Sequence, residues 1–163
     1  MIDPATTLPS LQQAILAGTI KLRRAVVDPD LFFHVDHPNG EQRLTYVRLE
    51  GKTVTACVMF ALSPPMNGKP CFGIGYAVPE TYRNQGRAKE AVRAAIAEMR
   101  HGLGRAGRTV FYVEAIVGSD NASSQRVAAQ VISNTPASVI DKISGLPALQ
   151  YVRKIVYRPK KQP

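Results

Sequence analysis

The stretch Val78-Pro79-Glu80-Thr81-Tyr82-Arg83-Asn84-Gln85-Gly86-Arg87-Ala88 connects a predicted strand to the start of the longest predicted helix. The first backbone N–H groups of a helix have no intrahelical acceptor, and the helix dipole adds partial positive charge there. Gly86 and Ala88 are small enough for an anion to approach those amides, and Arg83 and Arg87 add full charges. The segment therefore predicts a pyrophosphate cradle. The alternative interpretation is a surface loop whose glycine only eases the turn.

An apolar stripe at helical spacing follows this segment and predicts the helix. The stripe consists of Ala88, Ala91, Val92, Ala95, Ile96 and Met99. We expect the glycines at 102, 104 and 107 to end the helix. A second helix is predicted from about Ala122 to Ile132, behind Ser119-Asp120-Asn121. A short helix over Ser10–Ala17, with Ser10 as its N-cap, should follow a loose arm of residues 1–9.

Strand patterns fill most of the remaining chain. The predicted strands cover residues 31–37, 42–49, 53–62, 71–78, 109–117, 138–143 and 149–157. Asn39-Gly40 is a strong hairpin signal, and residues 64–68 have the composition of a loop. The order predicts an α/β (α+β) protein with a mixed, mostly antiparallel sheet of about seven strands flanked by helices. We expect one domain over residues 1–157 and a basic, disordered tail over 158–163.

Composition and charge narrow the class of protein further. The 163-residue chain is 45% hydrophobic and 20% charged, which fits one folded domain. Its formal net charge of +9 indicates an anionic partner, either nucleic acid or a cofactor with several phosphates. Nucleic acid is the weaker alternative, because no interleaved exposed aromatics or recognisable reading helix accompany the charge. No apolar run could span a bilayer and no signal-peptide pattern is present, so we expect a cytoplasmic protein without a membrane partner.

Cysteine and histidine residues give no sign of a metal or redox site. Cys57 and Cys71 lie in apolar strand segments and are expected to be buried thiols. His34 and His37 fall on opposite faces of a predicted strand, so they could not share a metal. No metal site is therefore predicted.

Two motifs resemble those of the GNAT (GCN5-related N-acetyltransferase) superfamily. Residues 83–88 are similar to its R/Q-x-x-G-x-G/A signature, and residues 73–78 resemble the strand that precedes it. Residues 121–128, Asn-Ala-Ser-Ser-Gln-Arg-Val-Ala, are similar to its N-x-x-S-x-x-V pattern. The likeness covers about residues 70–135. It implies an acyl-CoA-dependent N-acyltransferase, most simply an acetyltransferase that uses acetyl-CoA.

The resemblance also implies where CoA would bind. Backbone amides of Val78 and of the Arg83–Lys89 loop would hold the pantetheine and pyrophosphate, between strands that part. Asn121 and Ser124 would face the cofactor from the next helix, although Asn121 could instead cap that helix. The implied cofactor-binding residues are Val78, Arg83, Gln85, Gly86, Arg87, Ala88, Lys89, Asn121 and Ser124.

The implied reaction is direct attack of an amine on a thioester, which requires a base or a water relay to remove the amine's proton. Glu114 is our candidate base; the alternative is a structural carboxylate bonded to an arginine. The Val78 amide would donate to the oxyanion. Where many members carry a tyrosine as general acid this chain has Ala128, so Tyr112, Tyr151 or water would substitute, or no acid would be needed.

The acceptor and the oligomeric state stay open. A small amine, an amino acid, a protein N-terminus or lysine, and an antibiotic all fit an N-acyltransferase, and a homodimer is compatible with the sequence. A CoA-binding or regulatory module without turnover is the second interpretation, because Ala128 replaces the usual tyrosine.

Overall fold

A computed structural model describes residues 3–159 as one eight-stranded sheet with helices on both faces. The helices are α1 (Pro4–Ala17), α2 (Arg87–Arg105) and α3 (Ala122–Val131). The strands are β1 (Arg23–Arg24), β2 (Leu31–Asp36), β3 (Arg43–Glu50), β4 (Thr53–Met66), β5 (Lys69–Ala77), β6 (Val110–Gly118), β7 (Ala137–Ile140) and β8 (Pro147–Val156). The expected disordered tail lies mostly outside the described residues, as do the first two residues of the expected arm.

The strand order in the sheet is β1-β2-β3-β4-β5-β6-β8-β7. Every neighbouring pair is antiparallel except β5 and β6, which are parallel. Parallel neighbours require a crossover connection, and α2 supplies it. The mixed, mostly antiparallel sheet is the predicted one, with the two-residue β1 as an additional strand that no local pattern indicated.

The two faces of the sheet are covered differently. On one face α2 and α3 pack over a large core to which β6 contributes Phe111, Val113, Ala115 and Val117. On the other face α1 packs over β4 and β5, with a smaller cluster around Leu11, Val47 of β3 and Met59 of β4. We call these the helix-pair face and the α1 face. Because strand side chains alternate, each strand residue can be assigned to one of the two.

The amino-terminal helix is longer than predicted. It begins at Pro4, and the Asp3 side chain accepts a hydrogen bond from the Ala5 N–H at 3.0 Å as its N-cap. The expectation of a loose arm was therefore wrong for residues 4–9, and Ser10 does not cap the helix. Proline at the first helical position is favourable because its fixed φ suits a helix and its missing N–H has no partner there. The local signal for this start was Asp3-Pro4.

Two other boundaries differ from the prediction. Strand β4 continues through Pro64-Pro65 to Met66, with a register shift between Ser63 and Met66, so the predicted loop is reduced to a turn at Asn67-Gly68. Helix α2 continues through Gly102 and Gly104 to Arg105. The prolines lie at the register shift and beyond Ala61, the last residue of β4 that pairs with β3, where a strand tolerates proline. In α2, tertiary packing overrides the low helix propensity of glycine.

Within residues 3–159, no helix combines the length and the apolar character that crossing a bilayer requires.

We expect Gly104→Ala to lower the free energy of unfolding by about 1–3 kcal/mol, because overpacking strains a filled core. A Cβ at Gly104 would lie 2.0 Å from Cγ of the Tyr157 ring. Gly102→Ala is the matched control, since a Cβ there meets nothing within 4 Å. Replacing a helical glycine by alanine should stabilise that variant by about 0.5–1 kcal/mol. Urea denaturation measures both, and equal effects at the two positions would contradict the packing role of Gly104.

Candidate functional site

The two parallel strands pair over only three residues. The partners are Cys71 with Tyr112, Phe72 with Val113, and Gly73 with Glu114. Beyond these pairs β5 continues to Ala77 and β6 to Gly118 without pairing with each other. Alternate backbone N–H and C=O groups of residues 74–77 therefore face a gap. The two strands therefore part, as the resemblance of the sequence to the GNAT superfamily implied.

The start of α2 lies beside this gap and has free backbone donors. Gly86 is the N-cap residue with φ 71°, in the left-handed region that favours glycine. In the described part of the chain, the N–H groups of residues 84–89 donate to no protein acceptor; Glu90 N–H is the first to do so, to Gly86 O at 3.1 Å. A Cβ on Gly86 would meet no atom within 4 Å, so the Cα of Gly86 faces open space.

The side chains of this loop are partly engaged. The Arg87 guanidinium donates to Glu50 Oε1 and to Gln85 Oε1, both at 2.9 Å, and lies 4.9 Å from the centroid of the Tyr82 ring. The Arg83 Nε–H donates to the Val78 carbonyl at 3.0 Å and closes the loop. The charge of Arg87 is thus offset by Glu50, whereas the backbone amides remain free.

Helix α3 begins at the far side of the gap. The Asn121 side chain accepts hydrogen bonds from the Ser124 N–H and from the Ser123 hydroxyl, both at 3.2 Å, so Asn121 caps α3. The Ser124 carbonyl accepts a hydrogen bond from the Tyr76 hydroxyl at 2.7 Å. The capping role left open by the sequence is therefore present, and a cofactor role for Asn121 and Ser124 stays a prediction.

Glu114 is half-buried on the α1 face of β6, opposite the two helices. Its Oε1 accepts a hydrogen bond of 2.5 Å from Gln150 Nε2 on β8. Among residues 3–159 no arginine forms an ion pair with it. The partner of Glu114 is thus a neutral amide, which fixes one carboxylate oxygen; among the described residues the other oxygen accepts no hydrogen bond.

The predicted oxyanion donor and the predicted base do not meet. Glu114 is level with Gly73, and Val78 lies five residues further along the chain, directly after β5. At the usual rise of a strand this separates their backbones by about 16 Å. The Val78 N–H has no protein acceptor in the described chain.

The remaining tyrosines on these strands have different surroundings. The Tyr112 hydroxyl accepts a hydrogen bond from Asn67 Nδ2 at 3.0 Å, at the paired end of β5 and β6. Tyr151 is buried in the core of the helix-pair face. Sequence reasoning missed the contacts of Tyr76 and Gln150, because both depend on how distant elements pack, and their residue types carry no local signal for it.

The chain matches known proteins through its family and its fold. The Acetyltransferase (GNAT) family matches residues 17–131, which is more than half of the chain. No curated protein matches it. The fold is similar to that of a GNAT-family acetyltransferase from Streptococcus pneumoniae, with a TM-score of 0.51 at 11% identity, covering 69% of this chain and 66% of that one.

Two further solved structures show the same likeness. The NatC complex bound to Gag peptide and CoA matches with a TM-score of 0.50 at 20% identity, covering 69% of this chain and 71% of that one. The ribosomal-protein-S5-alanine acetyltransferase from Vibrio fischeri matches with a TM-score of 0.50 at 16% identity, covering 74% of this chain and 66% of that one. The chain spans about two thirds of the length of these proteins, and at such identities the likeness shows the fold alone.

An open, mostly antiparallel sheet with two parallel strands that part beside a helix start defines a mixed α/β fold. The chain belongs to the GNAT acetyltransferase family.

We expect neither cysteine to react with a thiol reagent at pH 8 while the chain is folded. Burial raises the pKa of the Cys57 thiol to about 12; burial first, and then the charge of Glu114, raises that of Cys71 to about 11. With a pKa near 11, only about one thiol in a thousand is ionised at pH 8. Both thiols should react in denaturant. Rapid labelling of the folded chain at pH 8 would contradict their burial.

Proposed function

We propose that the chain is an acyl-CoA-dependent N-acyltransferase that transfers an acetyl group from acetyl-CoA to an amine. The observation that carries the proposal is the row of free amides at residues 84–89, with open space at the Cα of Gly86 and next to the parted strands. Helix starts of this kind bind phosphate groups. Membership of the GNAT family gives the anion its identity, the pyrophosphate of CoA.

The residues present fit CoA. The amides of Gly86, Ala88 and Lys89 would hold the pyrophosphate, with the outer N–H groups of Arg83 and the Lys89 ammonium adding charge; the contribution of Arg87 is mainly its backbone, because Glu50 pairs with its side chain. Asn121 and Ser124 would border the pantetheine arm from α3. When bound, acetyl-CoA supplies a thioester carbonyl for attack and a thiolate that leaves.

The protein's own groups would then do the following. The free oxygen of Glu114 accepts a proton from the acceptor ammonium, and Gln150 holds the other oxygen in place. The Glu114 carboxylate is level with Gly73, and the gap between the strands begins beyond that residue. A water between the carboxylate and the acceptor ammonium therefore relays the proton. We assign the Val78 amide to the pantetheine arm. Alternate amides of residues 74–77, on the open edge of β5, stabilise the negative charge that develops on the thioester oxygen.

The acceptor would approach from the α1 face, where Glu114 lies. Helix α1 packs over β4 and β5 on this face and leaves Ile116 of β6 42% exposed. The similar solved proteins include one bound to a peptide and one named for a protein alanine. Peptides with free N-termini therefore belong in an acceptor panel beside lysine peptides, amino acids, polyamines and aminoglycosides.

The test of the proposal has two parts. Calorimetry with CoA, acetyl-CoA and a simple nucleotide measures whether the site prefers the full cofactor. Thiol release from acetyl-CoA, followed across the acceptor panel, measures transfer. Cofactor binding together with acceptor-dependent thiol release supports the proposal. Absence of CoA binding would sink it; tight binding without transfer to any amine would favour the non-catalytic CoA-binding module.

Gly86→Ala should weaken CoA binding about tenfold or more. A residue with a Cβ at φ 71° is strained by about 1–2 kcal/mol, so the loop would rearrange and its amides would no longer converge. Gly68→Ala is the matched control, because Gly68 has φ 72° and equally open surroundings but lies at the opposite end of β5. Calorimetry compares the two affinities. If both variants lose CoA affinity equally, the loss comes from general backbone strain, and Gly86 has no specific part in binding the pyrophosphate.

Glu114→Gln should lower turnover about 10²–10⁴-fold while changing CoA affinity little, because the amide keeps the shape and the bond to Gln150 but accepts no proton. Glu41→Gln, on an exposed loop residue, serves as the control for loss of one negative charge. Steady-state kinetics and calorimetry separate the two effects. Normal turnover of Glu114→Gln would show that another group, or water alone, is the base, without affecting the CoA assignment.

A further inference from the structure

Tyr76 lies in the segment of β5 that has parted from β6. Its side chain is on the helix-pair face, where it packs against the main core. Its hydroxyl donates to the Ser124 carbonyl of α3 at 2.7 Å. Since α3 follows β6 directly and packs on β6 and β8, the ring extends from one side of the gap to the other.

A small residue of α3 belongs to the same core. Ala128, one helical turn after Ser124, is fully buried in the core against which Tyr76 packs. The Tyr76 hydroxyl is thus bonded to a backbone carbonyl of α3, at the side of the gap.

Tyr76 is well suited to hold a proton at this position. Burial is the main influence and raises the pKa of Tyr76 well above its usual range, and nearby Tyr151 acts in the same direction. The hydrogen bond that the hydroxyl donates to the Ser124 carbonyl also suits the neutral phenol. The phenol therefore holds its proton at physiological pH.

We propose that the Tyr76 hydroxyl contacts the sulfur of bound CoA and gives its proton to the departing thiolate. This inference rests on the proposed function. A thioester held along the open edge of β5 beyond Gly73 would have its sulfur at the level of residues 74–77, within which Tyr76 supplies the phenol. Rotation about the C–O bond redirects the proton from the Ser124 carbonyl to the gap.

The step balances as follows. As the acceptor nitrogen bonds to the carbonyl carbon and the carbon–sulfur bond breaks, the electron pair of that bond goes to sulfur and the Tyr76 O–H proton follows it. The acceptor ammonium loses two protons in the whole reaction. Glu114 passes one of them to solvent, and the other restores the Tyr76 phenol through water. The products are the amide, the thiol and one released proton.

The two proton-handling groups lie on opposite faces of the sheet. Glu114 is on the α1 face and Tyr76 on the helix-pair face. An amine that attacks from the first face and a thiolate that leaves toward the second do not compete for space. The arrangement thus requires two separate residues, and Tyr76 is placed for the second role.

Calorimetry with CoA and desulfo-CoA tests the contact without relying on turnover. The folded wild-type chain should bind CoA about fivefold more tightly than desulfo-CoA, the value of one ordinary hydrogen bond. Tyr76→Phe, which keeps the ring, should lose this preference and should lower turnover with the best acceptor about 10–100-fold. Tyr46→Phe is the control, since Tyr46 is a buried phenol of the same core on β3. This variant should keep the preference for CoA over desulfo-CoA and the wild-type turnover.

The outcomes separate this inference from the proposed function. The inference is supported if Tyr76→Phe loses the preference for CoA over desulfo-CoA while Tyr46→Phe keeps it. Wild-type binding of CoA with no preference for the sulfur, or a preference that Tyr76→Phe retains, overturns the role of Tyr76 and leaves the CoA site intact. If Tyr151→Phe abolishes the preference and Tyr76→Phe does not, the contact belongs to Tyr151, and the role of Tyr76 is again overturned. Failure to bind either compound overturns the proposed function and this inference together.

Discussion

The parallel pairing of β5 with β6 is the constraint on which the rest of the site depends. Parallel neighbours need a long connection, and here that connection is α2, whose first turn must lie at the carboxyl end of β5. Since the pairing stops after Gly73, the same end of β5 has an open edge. Free helix amides and an open strand edge are thus brought together by topology alone, before any side chain is chosen.

Backbone groups, more than side-chain charges, define the candidate anion site. Arg87 would be the obvious cation, but Glu50 on β3 pairs with it and Tyr82 stacks against it, so it braces the loop. Amides carry no counter-charge to compete with a ligand, and their direction is fixed by the helix they begin. The net charge of +9 then acts as a general attraction for anions and not as the source of specificity.

The sequence was sufficient for features with local causes. The apolar stripe of α2, the loop ahead of Gly86 and the cap at Asn121 follow from neighbours within a few residues, and the structure contains all three. Features with distant causes were not predictable. Gly104 does not end α2, because Tyr157 of the carboxyl terminus packs on it, and β1 exists only because Arg23 and Arg24 pair with β2. The hydrogen bonds of Gln150 to Glu114 and of Tyr76 to α3 also join distant parts of the chain, so they too could not be predicted.

A strand residue changes face when its register slips by one position, so the assignment of Glu114 and Tyr76 to opposite faces requires a fixed register. The three parallel pairs between β5 and β6 would by themselves fix this register only weakly. Strand β6, however, is held by nine consecutive antiparallel pairs with β8, and β5 by seven with β4 from Cys57 to Ser63. The outer neighbours therefore set which face each side chain occupies. This allows the pairing between β5 and β6 to be short, and a gap to open between them, without loss of the order of the groups on either side.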